Sequence, residues 1–330
     1  MKDINTIYSQ GFVKWAFDKG GSIIPLIVPS AKTNGTGLLN PSVFYDKGNI
    51  MIVIRHVNYT LFHSEGKLFQ HRFGPLQYIH PDQDRTLTTT NYLCEMNNSY
   101  DILSINKIST DLFDEDPMWH FIGLEDARLV KWNDKLYLSG VRRDTTDNGV
   151  GRMELSSIIV SKQGKVAEVS RERIPTPYGT DSYCEKNWMP VLDKPYHYVK
   201  WTNPTEIAIY DPETLLTSNI VKEKTFPLFY DLRGGTQVVP IGDKYYAIVH
   251  DVDLFQSEGG SKDAIYRHRI VRWNKDFDLE FISDRFHFMN GHVEFCSGMA
   301  VHGGNLLVSF GFQDNAAYLV VLPLKSFTNE

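Results

Sequence analysis

The chain has 330 residues, 42% hydrophobic and 22% charged, with a formal net charge of −6. These are the proportions of a globular protein, and with no long basic run they exclude a nucleic-acid groove. No run of eighteen apolar residues occurs, so no helical membrane span is expected.

Residues 1–20 read as a short helical extension. They lack the apolar core and small-residue cleavage site of a signal peptide. The cysteines, Cys94, Cys184 and Cys296, are odd in number and have no CxxC spacing. That pattern points to reduced thiols in a cytoplasmic protein.

From residue 21 to 330, short runs rich in Val, Ile, Tyr and Phe alternate with Gly, Asp and Asn turns, an all-β pattern in a single domain. One unit recurs: a strand, a tight turn with Asp or Gly, and a second apolar strand. Its copies span 40–55, 125–142, 186–200, 235–250 and 296–314. The turn markers Asp46, Asp134, Asp193, Asp243 and Gly303 lie 88, 59, 50 and 60 residues apart. A four-stranded propeller blade takes roughly 40–50 residues. Five units therefore predict a five-bladed β-propeller, with an insertion in the first interval, within 66–118. The strands at 40–45, 126–132, 187–192, 236–241 and 297–302 are expected nearest the axis. Tyr59, Tyr78 and Tyr92, in or near the insertion, suggest a lid or acceptor platform.

The repeat also places the chemistry. Each unit carries a polar residue six to eight positions before its turn: Asn40, Asp126, Lys186 with Asn187, Thr236 and Ser297. Each following strand closes on another: Arg55, Arg142, Lys200, His250 and Asp314. Innermost strands surround one channel, so equivalent positions converge there. One carboxylate near the middle, Asp126, with several cations nearby (Lys186, Lys200, Arg142 or Arg143, and His250), suits an anionic co-substrate. Glu125 is expected to point away from Asp126, toward Arg128. Glu294, at the start of the fifth unit, would supply a second carboxylate and favour hydrolysis. Trp188 and Trp201 default to core, with sugar stacking as the sharper reading. His268, His287, His292 and His302 show no metal-ligand spacing, so no metal is expected.

The segments GLEDARLV…KLYLSG, KNWMPVLDKPYHYVKW, RGGTQVVPIGDKYYAIVH and SFGFQD, in that order, resemble blocks of glycoside hydrolase family 130, which contains β-mannoside phosphorylases. The resemblance spans about 38–325. It implies a five-bladed propeller with inverting chemistry. It makes Asp126 the proton donor and puts Lys186, Asn187, Lys200 and His250 near phosphate or the reacting sugar. Asn40, Arg55 and Asp314 would bind sugar hydroxyls. The chain departs from the family pattern at Ala127, where Pro is usual, and at Lys186 and Lys200, where Arg is. Lys lacks the bidentate fork of Arg. The expected activity is glycosyl transfer with inorganic phosphate or a phosphorylated sugar, and no other cofactor. A nucleotide-sugar glycosyltransferase and a non-catalytic glycan-binding propeller are the alternatives. A homo-oligomer is left open.

Overall fold

A computed structural model describes residues 10–63, 76–81, 86–177, 182–227, 231–256 and 262–328. Helix α1 (Phe12–Asp18) buries Phe12, Trp15 and Ala16, which share one face by their three- and four-residue spacing. The first nine residues of the expected helical extension lie outside the described residues, as do 66–75 and 82–85 of the expected insertion. After β1 (Ser22–Leu26) and the single turn α2 (Ser30–Thr33), the chain is built of antiparallel meanders.

The first meander comprises β2 (Leu38–Asp46), β3 (Asn49–Val57), β6 (Leu87–Met96) and β7 (Ile102–Ser109). The hairpin β4 (Thr60–His63) and β5 (Leu76–Ile79) is inserted between its second and third strands. A short β8 (Phe121–Ile122) pairs with β6. The second meander is β9 (Glu125–Trp132), β10 (Lys135–Arg142), β11 (Arg152–Val160) and β12 (Val166–Arg173). The third is β13 (Met189–Pro190), β14 (His197–Trp201), β15 (Glu206–Asp211) and β16 (Leu216–Val221). The fourth is β17 (Val239–Ile241), β18 (Lys244–Gln256), β19 (Lys262–Trp273) and β20 (Leu279–Ile282). The last is β21 (Glu294–His302), β22 (Asn305–Phe312) and β23 (Ala316–Pro323), completed by β1 from the other end of the chain and followed by α3 (Leu324–Thr328).

The first two meanders are not separate sheets. Val166 and Ala167 of β12 pair in parallel with Ile108 and Ser109 of β7, which joins them at their outer edges. The innermost strands also depart from expectation. β13 and β17 have two and three residues, where six each were expected. Pro190 and Pro240 lie within these short ladders and have no N–H to give to them.

Apolar side chains lie between neighbouring meanders. Val43 and Ile52 of the first meet Ala300 and Leu307 of the last, while Phe44 and Met51 meet Leu129 and Leu138 of the second. Trp132 and Tyr137 meet Trp188 and Tyr198, Val191 and Val199 meet Val238 and Ala247, and Ile248 and Ile270 meet Met299 and Val308. The contacts run round a closed ring, the propeller arrangement.

Gln237 sits at the axis with its side chain fully buried. Its Nε2 donates to Ser42 Oγ at 2.9 Å and to the Leu129 carbonyl at 2.9 Å, and its Oε1 accepts from the Met299 N–H at 3.1 Å. One amide thus ties four meanders together.

Candidate active site

The polar residues converge on one pocket. A cavity of about 390 Å³ is lined by Asn40, Arg55, Glu125, Asp126, Arg143, Lys186, Asn187, Arg233, His250 and Asp314, with an aromatic wall including Tyr59, Tyr78, Trp119, Phe121, Tyr183 and Tyr266. The volume is within the usual range for small-ligand sites.

Backbone geometry explains how adjacent acids both reach it. In a regular strand Glu125 and Asp126 would face opposite sides. Asp126 instead has φ +51°, a left-handed conformation, and the ladder shifts register between Ser139 and Val141 opposite. Asn40 (φ +45°) and Asn187 (φ +63°) make the same turn in their meanders, and Asp314 has φ +49°. Asn and Asp are the residues that tolerate this conformation. Strained backbone held at equivalent points around one pocket is characteristic of functional sites. Glu125 therefore belongs to the pocket and not to Arg128, which corrects the alternation argument.

Asp126 is held tightly. Its Oδ1 accepts from Asn40 Nδ2 at 2.6 Å and from Arg55 Nη1 at 2.7 Å. Arg55 Nη2 lies 3.4 Å from Glu125 Oε2, and Arg143 Nε lies 3.6 Å from Glu125 Oε1. Arg128, 1% exposed, donates to the Asp126 carbonyl at 2.7 Å and to the Gly235 carbonyl at 2.9 Å. Burial alone would raise the Asp126 carboxyl. Arg55, Arg128, the Asn40 hydrogen bond and Lys186 outweigh it and bring it down to about 2. A general acid is expected to have its cations across the sugar; here Arg55 is directly against it. Asp314 is the contrary case: burial, reinforced by Asp126 and Glu125 and opposed by Arg55 and Lys186, pushes it up to about 6. Burial likewise raises Glu125, against the pull of Arg55.

Lys186 and Arg233 form no ion pair with any described carboxylate, although both line the pocket. His250 is buried, and its pKa falls well below the ordinary 6.5 through burial and then the charge of His268, Lys186, Arg233 and Arg128. It is a neutral imidazole, not the cation the repeat suggested. Its Nδ1 has no hydrogen-bond partner among the described residues, nor does Asn40 Oδ1.

Several expected site residues fall outside this pocket. Arg142 is buried, with Nε 2.8 Å from Glu154 and Nη1 3.3 Å from Asp144, lining a separate cavity of about 260 Å³ between the first two meanders. Lys200 lines an adjoining recess of about 700 Å³ and is paired with Glu185 (3.4 Å) and Glu206 (3.7 Å). Trp188 is core, with its indole N–H donating to Glu185 at 3.1 Å, while Trp201 is partly exposed in the same recess. Glu294 is structural: its carboxylate accepts backbone N–H groups of Phe288, Met289 and Gly291 at 2.6–2.8 Å. Thr236 and Ser297 donate to the carbonyls of Gln237 and Pro41 and do not line the pocket. Tyr92 is buried with its hydroxyl on the Lys32 carbonyl, whereas Tyr59 and Tyr78 reach the pocket.

Arg233 was missed. Its only sequence signal is its place before Gly234 and Gly235, whose absent side chains let the chain approach Asn187 and Ile248 closely. Its backbone exchanges hydrogen bonds with His250.

No protein-family model and no curated protein matches the sequence. Solved structures do match the fold. The β-1,2-mannobiose phosphorylase of Listeria innocua superposes with a TM-score of 0.53 at 13% identity, covering 93% of this chain and 96% of the other. The mannose phosphorylase MPT-4 of Leishmania mexicana, solved with phosphate, gives 0.53 at 10% identity, covering 96% and 93%. A structure reported with the family 130 glycoside hydrolases that target β-1,2-mannosidic linkages in Candida mannan gives 0.59 at 10% identity, covering 88% and 85%. The protein is thus an all-β chain with the propeller fold of the family 130 mannoside phosphorylases and glycoside hydrolases, as the sequence resemblance implies. Among the described residues no helix is long and apolar enough to cross a membrane.

Proposed function

We propose that the chain is an inverting glycoside phosphorylase acting on mannoside-type substrates, with sugar 1-phosphate on one side of the equilibrium. The observation that carries this reading is the pair of pocket cations, Lys186 and Arg233, with no ion-pair partner among the described residues. Pocket cations left unneutralised by protein carboxylates suit an anionic co-substrate such as phosphate. In hydrolysis a second carboxylate must activate water instead.

In the phosphorolytic direction a phosphate oxygen attacks the anomeric carbon. The bond from that carbon to the leaving sugar oxygen breaks, and that oxygen takes a proton from Asp126. In synthesis the acceptor hydroxyl gives its proton to Asp126 as it attacks a sugar 1-phosphate, and phosphate leaves. An ionised Asp126, brought down to about 2, is already in the form the synthetic direction needs. For phosphorolysis, a phosphate dianion on Lys186 and Arg233 offsets the cationic field around Asp126, and the sugar adds desolvation; both raise its pKa. Asn40, Asp314 and the Nδ1 of His250 bind sugar hydroxyls.

Hydrolysis is the second reading, favoured by Glu125 and Asp314 lining the same pocket. The test incubates purified protein with β-1,2-mannobiose, with and without phosphate. Mannose 1-phosphate forming only when phosphate is present supports phosphorolysis. Equal release of free mannose in phosphate-free buffer supports the hydrolase.

A further inference from the structure

Outside the pocket, one cluster brings together ligand-type side chains from three distant segments. His63 ends β4 of the inserted hairpin, Asp263 lies near the start of β19, and His292 lies in the loop before β21. One ligand atom from each lies within 4.8 Å of the other two. His63 Nε2 is 2.7 Å from Asp263 Oδ1, with both side chains buried, and the His63 and His292 rings meet at 4.8 Å between centroids. His63 and His292 border a recess of about 680 Å³. Arg267 also borders it, with its Nη1 on the carbonyls of Tyr266 (2.7 Å) and Gly291 (3.4 Å).

We propose that His63, Asp263 and His292 bind a divalent transition metal, Zn²⁺ by its donor set. Two imidazoles and one carboxylate are a borderline-soft set that suits zinc and leaves a fourth tetrahedral position for water. Mg²⁺ and Ca²⁺ prefer all-oxygen sets, which this cluster does not offer. His63 Nε2 and Asp263 Oδ1 are at hydrogen-bond distance, 2.7 Å; a metal takes the place of that hydrogen bond, and the two atoms separate slightly to reach ligand distances. Sequence spacing could not reveal the site, because positions 63, 263 and 292 belong to three elements that only the ring closure juxtaposes.

The site has a structural task. His63 ends the strand whose Leu61 pairs with Tyr78, and Tyr78 lines the pocket. His292 precedes the pocket residue Val293, and its carbonyl accepts from the Tyr266 N–H at 2.8 Å. A metal here pins the inserted hairpin to the β18–β19 arm and fixes two walls of the pocket, whatever reaction the pocket runs.

The test uses the full chain stripped with EDTA and titrated with ZnCl₂ by calorimetry, with thermal unfolding in parallel. One equivalent of Zn²⁺ is expected to bind and to raise the Tm, with no response to Mg²⁺ or Ca²⁺. His63→Ala, His292→Ala and the near-isosteric Asp263→Asn should each weaken Zn²⁺ binding by about tenfold or more. Loading with Co²⁺ should give the visible absorption of a tetrahedral site in the wild type, a readout that does not depend on any variant folding. Absence of saturable Zn²⁺ binding, or binding of undiminished strength in well-folded His63→Ala and His292→Ala, overturns the proposal.

Discussion

Arg55 Nη1 lies 2.7 Å from Asp126 Oδ1, so the central carboxylate of the pocket is held in its ionised form by an adjacent guanidinium. The two residues are 71 positions apart and come from different meanders. Asp126→Asn keeps the size and the Asn40 contact but can neither give nor take a proton. The expected loss in rate is about 10²–10⁴, with the fold retained. Steady-state rates in both directions, with circular dichroism as the folding check, decide this; full turnover would remove Asp126 from the mechanism.

The same pair sets an acid limit on stability. The folded carboxyl is brought from 3.8 to about 2. A depressed carboxyl contributes stability above its unfolded value and loses it as pH falls through the folded one. Wild type should therefore lose stability between about pH 4 and pH 2, and Asp126→Asn should lose less over that range. Urea midpoints across the range provide the comparison.

Asp314 runs the other way. Its carboxyl is raised from 3.8 to about 6, so its contribution is complete below the unfolded value and is lost as pH rises through the folded one. Relative to Asp314→Asn, wild type should become less stable as pH rises from about 4 to about 6. In kinetics, the variant should lack a titration near pH 6 in kcat/KM, because that quantity reports the free enzyme. An unchanged profile would assign the pKa near 6 to another group.

Lys186→Met and Arg233→Met should each raise the KM for phosphate, or for a sugar 1-phosphate, by about tenfold to a hundredfold, the worth of a hydrogen bond to a charged group. KM for a glycoside at saturating phosphate should change less. If the glycoside KM rises instead, these cations bind sugar and the phosphorylase reading loses its support.

Glu294→Ala should act on stability. It strips three backbone N–H groups of their acceptor, and each buried unsatisfied group costs about 1–3 kcal/mol. A lowered Tm with the pH–rate profile unmoved is the expected outcome.

The sequence by itself determined the strand-rich class and the strand–turn–strand repeat. It also placed Asn40, Arg55, Asp126, Lys186, Asn187, His250 and Asp314 as candidates; all seven line one pocket. Period-two alternation and turn chemistry are local signals, legible without contacts. The tertiary structure decided the rest, because the deciding quantities are distances between segments far apart in the chain. Lys200 and Arg142 occupy the repeat positions of site residues, yet Glu185 and Glu154 neutralise them. His250 reads as a cation and is a neutral ring because it is buried, with His268, Lys186, Arg233 and Arg128 adding to the effect. Glu125 reads as facing away and turns inward because the next residue adopts φ +51°. Glu294 reads as a second acid and is consumed by three N–H groups of a neighbouring loop. Charge state and facing depend on which groups the ring closure brings within a few ångströms, and one-dimensional spacing does not encode that.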